Sequence, residues 1–465
     1  MYYRFEISLK DAPGTFGGVG AVIGKMGGNL SLVRIKELIP KVTIIRELII
    51  EVKDEDHCVE IKRAIEEIEG VEVLSISVLN DILSYHLGGK IGTMVPTPAF
   101  SRDDLSKIYT PGVGEVSKLI HQNKEYARIY TTIGNTVLVA SDGSAVLGLG
   151  NIGPLAFAPV AEGKAAFLMM FGGLNAWREL IFTQKTKEII STIKNIGPGY
   201  AAVLLEDFSA PRCFEIEKAL QEILDIPVVH DDQHQTAIVV LAALINSAKV
   251  VGKELKNLKI VISGAGAAGI ATAKTLRCAG IENVICSDSA GIIYSGRKKN
   301  MNSAKRWLAE NTNSDRVKGS IAKALDSADA FIGLSKPGAV SADDFSSTAQ
   351  GFIFLPLANP VPELWPDQVS AAVSGTGRSD LPNQVNNVLA FPGFFRGLID
   401  AGSPKLDGVK LEKIKAQVAL ALARVVKPEE LNKNYILPNL LDLETHQAVA
   451  KATKEAVNRI SKAAG

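Results

Sequence analysis

The chain is poor in cysteine, balanced in charge and without a long uninterrupted apolar run. Its four cysteines, Cys58, Cys213, Cys278 and Cys286, form neither a CxxC pair nor a regular framework. That spacing speaks against a disulfide scaffold or structural zinc and for reduced thiols in a cytoplasmic compartment. The 51 basic residues face 50 acidic ones, so there is no electrostatic case for nucleic acid or an anionic membrane surface. The opening "MYYRFEISLKDAPG" alternates and carries charge early, unlike a signal peptide. No apolar stretch is expected to span a membrane. The longest candidate, "TAIVVLAALINSAKVV", is broken by Asn246 and Lys249 and reads as a buried helix.

A hydrophobic fraction of 46% and a charged fraction of 22% are those of an ordinary soluble protein. At 465 residues the chain is too long for one core, so we expect an α/β multidomain protein. Its expected parts are residues 1–80, 81–250, 251–400 and a helical segment over 401–465. No internal repeat is apparent.

Residues 2 to 9 alternate as a strand, "DAPGTFGG" is a turn, and residues 16 to 26 have helical spacing. Strands fit 30 to 38 and 43 to 52, a charged helix ends at Gly70, and "VEVLSISV" is a last strand. The order βαββαβ is a split βαβ sandwich. Through Asp11, Pro13, Gly14 and Phe16 in "DAPGTF", and through this order, the segment resembles the ACT family of small ligand-binding regulatory domains. The resemblance implies pairing with a second copy, hence a homodimer or higher homo-oligomer. It also implies either an amino acid or similar metabolite bound near the turn, or a pairing module without ligand.

From Leu258 apolar strands alternate regularly with helices, the pattern of a parallel sheet covered on both faces. Within it, Gly264, Ala265, Gly266, Ala267, Ala268 and Gly269 follow the strand "LKIVIS" and open a helix. Strand before, helix after and an acid at the next strand end make this a dinucleotide fingerprint on a Rossmann-like fold. Gly264 suits the tight turn, Gly266 the approach of a pyrophosphate and Gly269 the packing of helix on strand. Asp288, ending "VICSD", is placed to accept from an adenosine ribose, which leans toward NAD. Arg297, Lys298 and Lys299 could instead meet the 2′-phosphate of NADP, though "GRKKN" reads more simply as a solvated loop.

Upstream, polar groups concentrate in apolar settings: "YTPGVGEVSK", "SDGSAVLGLGNIGPLAFAPVAEGKAAF", "LLEDFSAPRCFEIEKAL" and "VVHDDQHQTAIV". Glu206 and Asp207 end an apolar strand, where adjacent carboxylates repel unless a cation joins them, and oxygen ligands suit Mg²⁺ or Mn²⁺. Lys164 follows an apolar run, where burial should lower its pKa toward a usable base. Side chains alternate along a strand, so Asp231 and Asp232 are not expected to share one ion. His230 and His234 read as structural histidines.

These stretches, with "LANPVPEL" and "TGRSDLPNQVNNVLAFPG", resemble the malic enzyme family over nearly all of residues 90 to 400. The resemblance implies an α/β substrate domain and oxidative decarboxylation of L-malate to pyruvate and CO₂ with NAD or NADP. It implies Lys164 as general base, Tyr109 as proton donor to the enolate and Asp232 as the third metal ligand beside Glu206 and Asp207. It further implies that Asp231 sits beside the lysine, and that Asn359 and Asn387, with Asn386 as a neighbour, lie near the nicotinamide and the malate carboxylate. The chain departs from the usual pattern at Gln235, Asn175, Val361 and Ser263, and Gln235 in place of glycine is expected to crowd the site. Two other readings are a dehydrogenase for a related hydroxy or amino acid, and a catalytically weakened effector- and dinucleotide-binding regulatory protein.

Overall fold

The first strand, β1 (Tyr2–Lys10), buries every second side chain, Tyr3, Phe5, Ile7 and Leu9, because a pleated strand points alternate residues to one face. In this computed structural model, residues 1–39, 42–79, 82, 86, 88–96, 99–146 and 148–464 are described. The chain divides into two units, Met1–Gly92 and Thr93–Gly465. The boundary expected at residues 80 and 81 lies outside the described residues.

In the first unit α1 (Thr15–Lys25), β2 (Asn29–Ile39), β3 (Thr43–Glu51), α2 (Glu55–Glu66) and β4 (Val71–Leu79) follow β1. The antiparallel sheet has the order β2-β3-β1-β4. Its apolar face packs on Val19 and Ile23 of α1 and on Ile61 and Ile65 of α2. Gly14 turns at φ 88° to start α1, a conformation that favours glycine.

The second unit opens with α3 (Arg102–Ile108), α4 (Gly112–Gln122) and α5 (Tyr126–Tyr130). A four-stranded parallel sheet of order β6-β5-β7-β8 follows, from β5 (Thr136–Ser141), β6 (Asn175–Leu180), β7 (Ala202–Leu205) and β8 (Val228–His230). The connections carry α6 (Gly153–Gly172), α7 (Thr186–Ile196) and α8 (Arg212–Ile223), and α9 (Asp231–Val250) leads away. Leu204 and Leu205 of β7 are fully buried, each worth about 2 kcal/mol, which anchors the strand that delivers Glu206 and Asp207.

By length and composition α6 is apolar enough to cross a membrane, contrary to the expectation that no stretch would be. It carries Glu162 and Lys164 and packs against β5, β6 and a C-terminal helix.

The second sheet contains β9 (Ile260–Ser263), β10 (Val284–Asp288), β11 (Gly291–Ile292), β12 (Ala330–Gly333), β13 (Ile353–Pro356) and β14 (Val373–Ser374). Its order is β11-β10-β9-β12-β13-β14, parallel except for the edge strand β11. Helices α10 (Ala267–Cys278), α11 (Ser303–Asn311) and α12 (Ile321–Leu325) lie along its connections. The C-terminal helices α13 (Phe391–Asp400), α14 (Gly408–Val425) and α15 (Leu443–Ala464) bind the two halves: α14 packs on both α9 and α10, and α15 packs on α13, α14 and α6.

Candidate active site

Parallel strands gather their carboxyl ends on one side, and open α/β sheets present ligand sites there. At the end of β7 the chain turns through Asp207, whose φ of 53° is left-handed. Its carbonyl accepts from the Ala145 N–H at 2.9 Å and its own N–H donates to Asp232 Oδ2 at 3.1 Å. The neighbouring strand β8 stops at His230, and α9 starts at Asp231. The two aspartates therefore leave a helix about 100° apart, not opposite faces of a strand, which corrects the extended reading of this stretch.

The helical twist divides the pair. Asp232 joins Glu206 and Asp207, and one carboxylate oxygen from each lies within 4.8 Å of the others. Asp231, fully buried, turns to Lys164 of α6, whose Nζ stands 2.5 Å from Asp231 Oδ2 and 3.1 Å from Glu206 Oε1. The Lys164 ammonium also lies 4.6 Å from the Phe391 ring centroid, a cation–π contact. The Asn387 amide donates to the same Asp231 oxygen.

The expected lowering of the Lys164 pKa does not occur. Burial pulls it down, but Asp231, Glu206 and Asp232 together outweigh burial and hold it well above the usual lysine value. Burial and the crowding of like charges push Glu206 well above the usual carboxylate range and Asp207 up to about 8, with Asp232 its main neighbour. Glu206 Oε2 is buried without a hydrogen-bond partner. Three crowded carboxylates, one of which keeps an unpartnered buried oxygen, fit a hard divalent cation such as Mg²⁺ or Mn²⁺.

The dinucleotide loop fits its group by leaving room. Gly264 turns at φ 113°, and a Cβ there would fall 2.2 Å from the Leu334 carbonyl oxygen. Gly269 packs its helix so closely that a Cβ would meet the Gly264 oxygen at 2.0 Å, while the space beside Gly266, at the α10 N-terminus, is open. That open helix end is where pyrophosphate binds best. A cavity of about 350 Å³ is lined by Asp207, Asp232, Gly266, Ala267, Ala268, Asn359 and Asn387. A second cavity, of about 540 Å³, runs along Gly264, Ala265, Asp288, Asn300 and Lys305.

Asp288 differs from its expected state. Its carboxylate accepts from Arg297 Nη2 at 2.6 Å to each oxygen, from Lys305 Nζ at 2.7 Å, from Asn300 Nδ2 at 3.1 Å and from the Ala290 N–H at 2.8 Å. Burial raises its pKa, but Lys305 and Arg297 hold it below the ordinary aspartate value. Arg297 is itself buried, while the other four residues of "GRKKN" are exposed as the loop reading expects.

Tyr109 stands apart from this cluster. It ends α3, is 73% exposed and lines neither cavity. Gln235 does not crowd the site either. It is fully buried one turn after Asp231, with both amide atoms unpartnered, and Thr236 and Val239 face the cavity instead. Asn175 and Val361 are exposed, and Ser263 Oγ meets Ser335 Oγ at 3.1 Å. His234 accepts a structural place between Glu217 and Lys415, at 2.9 and 3.1 Å.

Three supporting groups were not legible in the sequence. Arg212 pairs with buried Asp142 at 2.5 Å and ties the loop after β5 to the turn after β7. Glu363 accepts from the N–H groups of Ser335 at 2.7 Å and Ala358 at 3.0 Å, bracing the loop that presents Asn359. Glu217 accepts the His230 N–H at 2.7 Å and fixes the start of α9. Acids in "SDGS", "VPEL" and "FEIEKAL" were visible, but their partners, 5 to 70 residues away, were not.

Comparison with known proteins agrees with this geometry. The description "Malic enzyme, N-terminal domain" matches residues 89–181, and "Malic enzyme, NAD binding domain" matches residues 234–364. The chain is 42% identical to the NAD-dependent malic enzyme of Geobacillus stearothermophilus over 96% of this chain and 92% of that relative. It is 37% identical to NAD-dependent malic enzyme 1 of Bacillus subtilis (strain 168) over 98% of each. The crystal structure of the NAD-dependent malic enzyme from Thermotoga maritima superposes with a TM-score of 0.76 at 37% identity, over 81% of this chain and 99% of that one. That of malic enzyme from Pyrococcus horikoshii gives 0.77 at 38% identity, over 82% and 90%. Asp207 and Asp232 facing a dinucleotide loop across one cavity, on a fold shared with solved malic enzymes over 81–82% of the chain, lead to one conclusion: this chain belongs to the malic enzyme family.

Proposed function

We propose that the chain converts L-malate to pyruvate and CO₂ in the cytoplasm, passing the C2 hydride to NAD or NADP, with Mg²⁺ or Mn²⁺. The observation that carries this reading is the single cavity lined by Asp207 and Asp232 on one side and by Gly266, Ala267 and Ala268 on the other. Glu206, Asp207 and Asp232 would hold the cation, which supplies a Lewis acid for the keto oxygen and offsets the carboxylates that keep Lys164 protonated. Lys164 in its neutral form takes the C2 hydroxyl proton, and Asp231 and Phe391 orient the ammonium that results. Asn387 fixes Asp231, and Asn359 faces the cavity beside the dinucleotide loop, where a neutral amide orients substrate or nicotinamide. The test is malate-dependent NAD(P)H and pyruvate formation with Mn²⁺. Absence of pyruvate, or a Lys164→Ala enzyme equal to the parent, would overturn the reading.

Tyr109 is proposed to return a proton to C3 of the enolate. Its exposure means that something beyond the described cluster must bring it there, and Met94, Val95 and Phe100, each at least 75% exposed, support a homo-oligomer that covers this segment. Tyr109→Phe should then lower turnover, and dissociated subunits should behave like that variant.

Cofactor choice rests on Asp288. With Arg297 and Lys305 both against it, a ribose 2′-phosphate is not repelled as it would be by a bare carboxylate, and the reading admits NADP beside NAD. Initial rates with the two cofactors decide between them. For the first unit, the βαββαβ order and the Gly14 turn support an ACT-like domain that binds an amino acid or similar metabolite. If removing residues 1–80 changes neither oligomeric state nor any metabolite response, that role is wrong.

A further inference from the structure

A larger cavity, of about 750 Å³, lies away from the malate site, among α8, α9, α10, α11 and the start of α14. Four cations line it, Lys218, Lys274, Arg277 and Lys413, together with the rings of Phe214 and Trp307. Its acids are already committed. Glu217 accepts from the His230 N–H, Gln233 and His234, Glu412 accepts from Lys415 and Thr275, and Asp407 caps α14 through the Lys410 N–H. The cations are not committed. Among the described residues Lys218 has only Glu222, at 4.0 Å, and Arg277 reaches one carbonyl at 3.5 Å. Lys274 lies 5.5 Å from the Trp307 ring centroid, and among the described residues no acid pairs within 4.0 Å with Lys274, Arg277 or Lys413.

We propose that this cavity binds a small organic anion with an aromatic body, its carboxylate or phosphate held by Arg277 and the lysines and its ring against Trp307 and Phe214. The volume is that of a metabolite site, and a guanidinium beside lysines suits a carboxylate or a phosphate. An apolar wall between aromatic rings rejects a bare inorganic ion, because desolvating the rings without covering them gains nothing.

Cys278 lines the cavity and is the exposed cysteine of the four, the other three being buried. It provides a reporter that is independent of malate turnover. The full-length protein, held at saturating NAD, is treated with a disulfide reagent in the presence of phenyl phosphate, phenylacetate, inorganic phosphate or phenol. Phenyl phosphate or phenylacetate should slow labelling of Cys278 saturably, and the one acting at lower concentration identifies the head group. Inorganic phosphate and phenol should protect far less. Lys274→Ala with Arg277→Ala should raise the half-protecting concentration about tenfold or more while malate turnover without the anion stays unchanged. The proposal is overturned if neither aromatic anion protects, if protection is the same in the double variant, or if inorganic phosphate protects equally. It is also overturned if omitting NAD strengthens protection and adding it abolishes protection, which assigns the anion to the dinucleotide loop, or if protection follows subunit concentration, which makes the cavity an interface between copies.

Discussion

The two parallel sheets of the second unit solve opposite electrostatic problems at equivalent places. At the carboxyl ends of β7 and β8, Glu206, Asp207, Asp231 and Asp232 meet one lysine, more crowded carboxyl groups than a single ammonium can balance. At the carboxyl ends of β9 and β10, glycines expose bare backbone and the one acid, Asp288, is matched by Arg297 and Lys305. The first arrangement demands a cation and the second welcomes phosphate. Buried charges are tolerated only when paired or metal-bound, so the contrast predicts where each half breaks.

The largest effect should come from the acidic end. Lys164→Ala, or Asp207→Asn, is expected to lower kcat by about a hundred- to ten-thousandfold, the range of a lost general base or its support. Steady-state rates with malate and Mn²⁺ check this, and a loss under tenfold would remove these residues from the chemistry. Next in size is stability. Mn²⁺ should raise the melting temperature of the parent by several degrees through binding the folded state alone, and Asp207→Asn should abolish that rise while leaving the metal-free protein no less stable, because it relieves crowding. Equal Mn²⁺ shifts in parent and variant would place the cation elsewhere.

At the glycine end the effect should be smaller and selective. Lys305→Ala is expected to lower kcat/KM for NADP about tenfold more than for NAD, since it removes one charge-assisted bond to a phosphate. Parallel losses with both cofactors would mean that Lys305 only stabilises Asp288. The smallest change is expected at Gln235, which belongs to neither end. Gln235→Met keeps the volume and removes two unpartnered buried polar atoms, so chemical denaturation should show a gain of about 1 kcal/mol with turnover within a few-fold. A large loss of activity instead would give that amide a partner in the working enzyme.

Legibility followed the same division. The strand and helix periods of the second sheet, the glycine spacing and the "ED" at the end of β7 could all be read, because each depends on neighbours within one turn or one strand. The βαββαβ order of the first unit was readable for that reason too. The state of Lys164 could not be, since burial alone argued for a lowered pKa and only the approach of Asp231, Glu206 and Asp232 reverses it. Gln235 was misplaced because a departure at a glycine position says nothing about which way the helix turns. Arg297 looked solvated in a basic run, yet its partner ends a strand nine residues earlier.

What the amino-acid order determined by itself was local: which segments are strands, where backbone must approach phosphate, and which residues carry charge. The family resemblance already divided Asp231 from Asp232, and what only the tertiary structure decided was the geometry by which those charges pair. The start of α9 at Asp231 sends one aspartate to Lys164 and the next to the Glu206 and Asp207 carboxylates. Coulomb interactions depend on distances of a few ångströms in a medium of low polarizability, and those distances are set by packing between segments 25 to 156 residues apart.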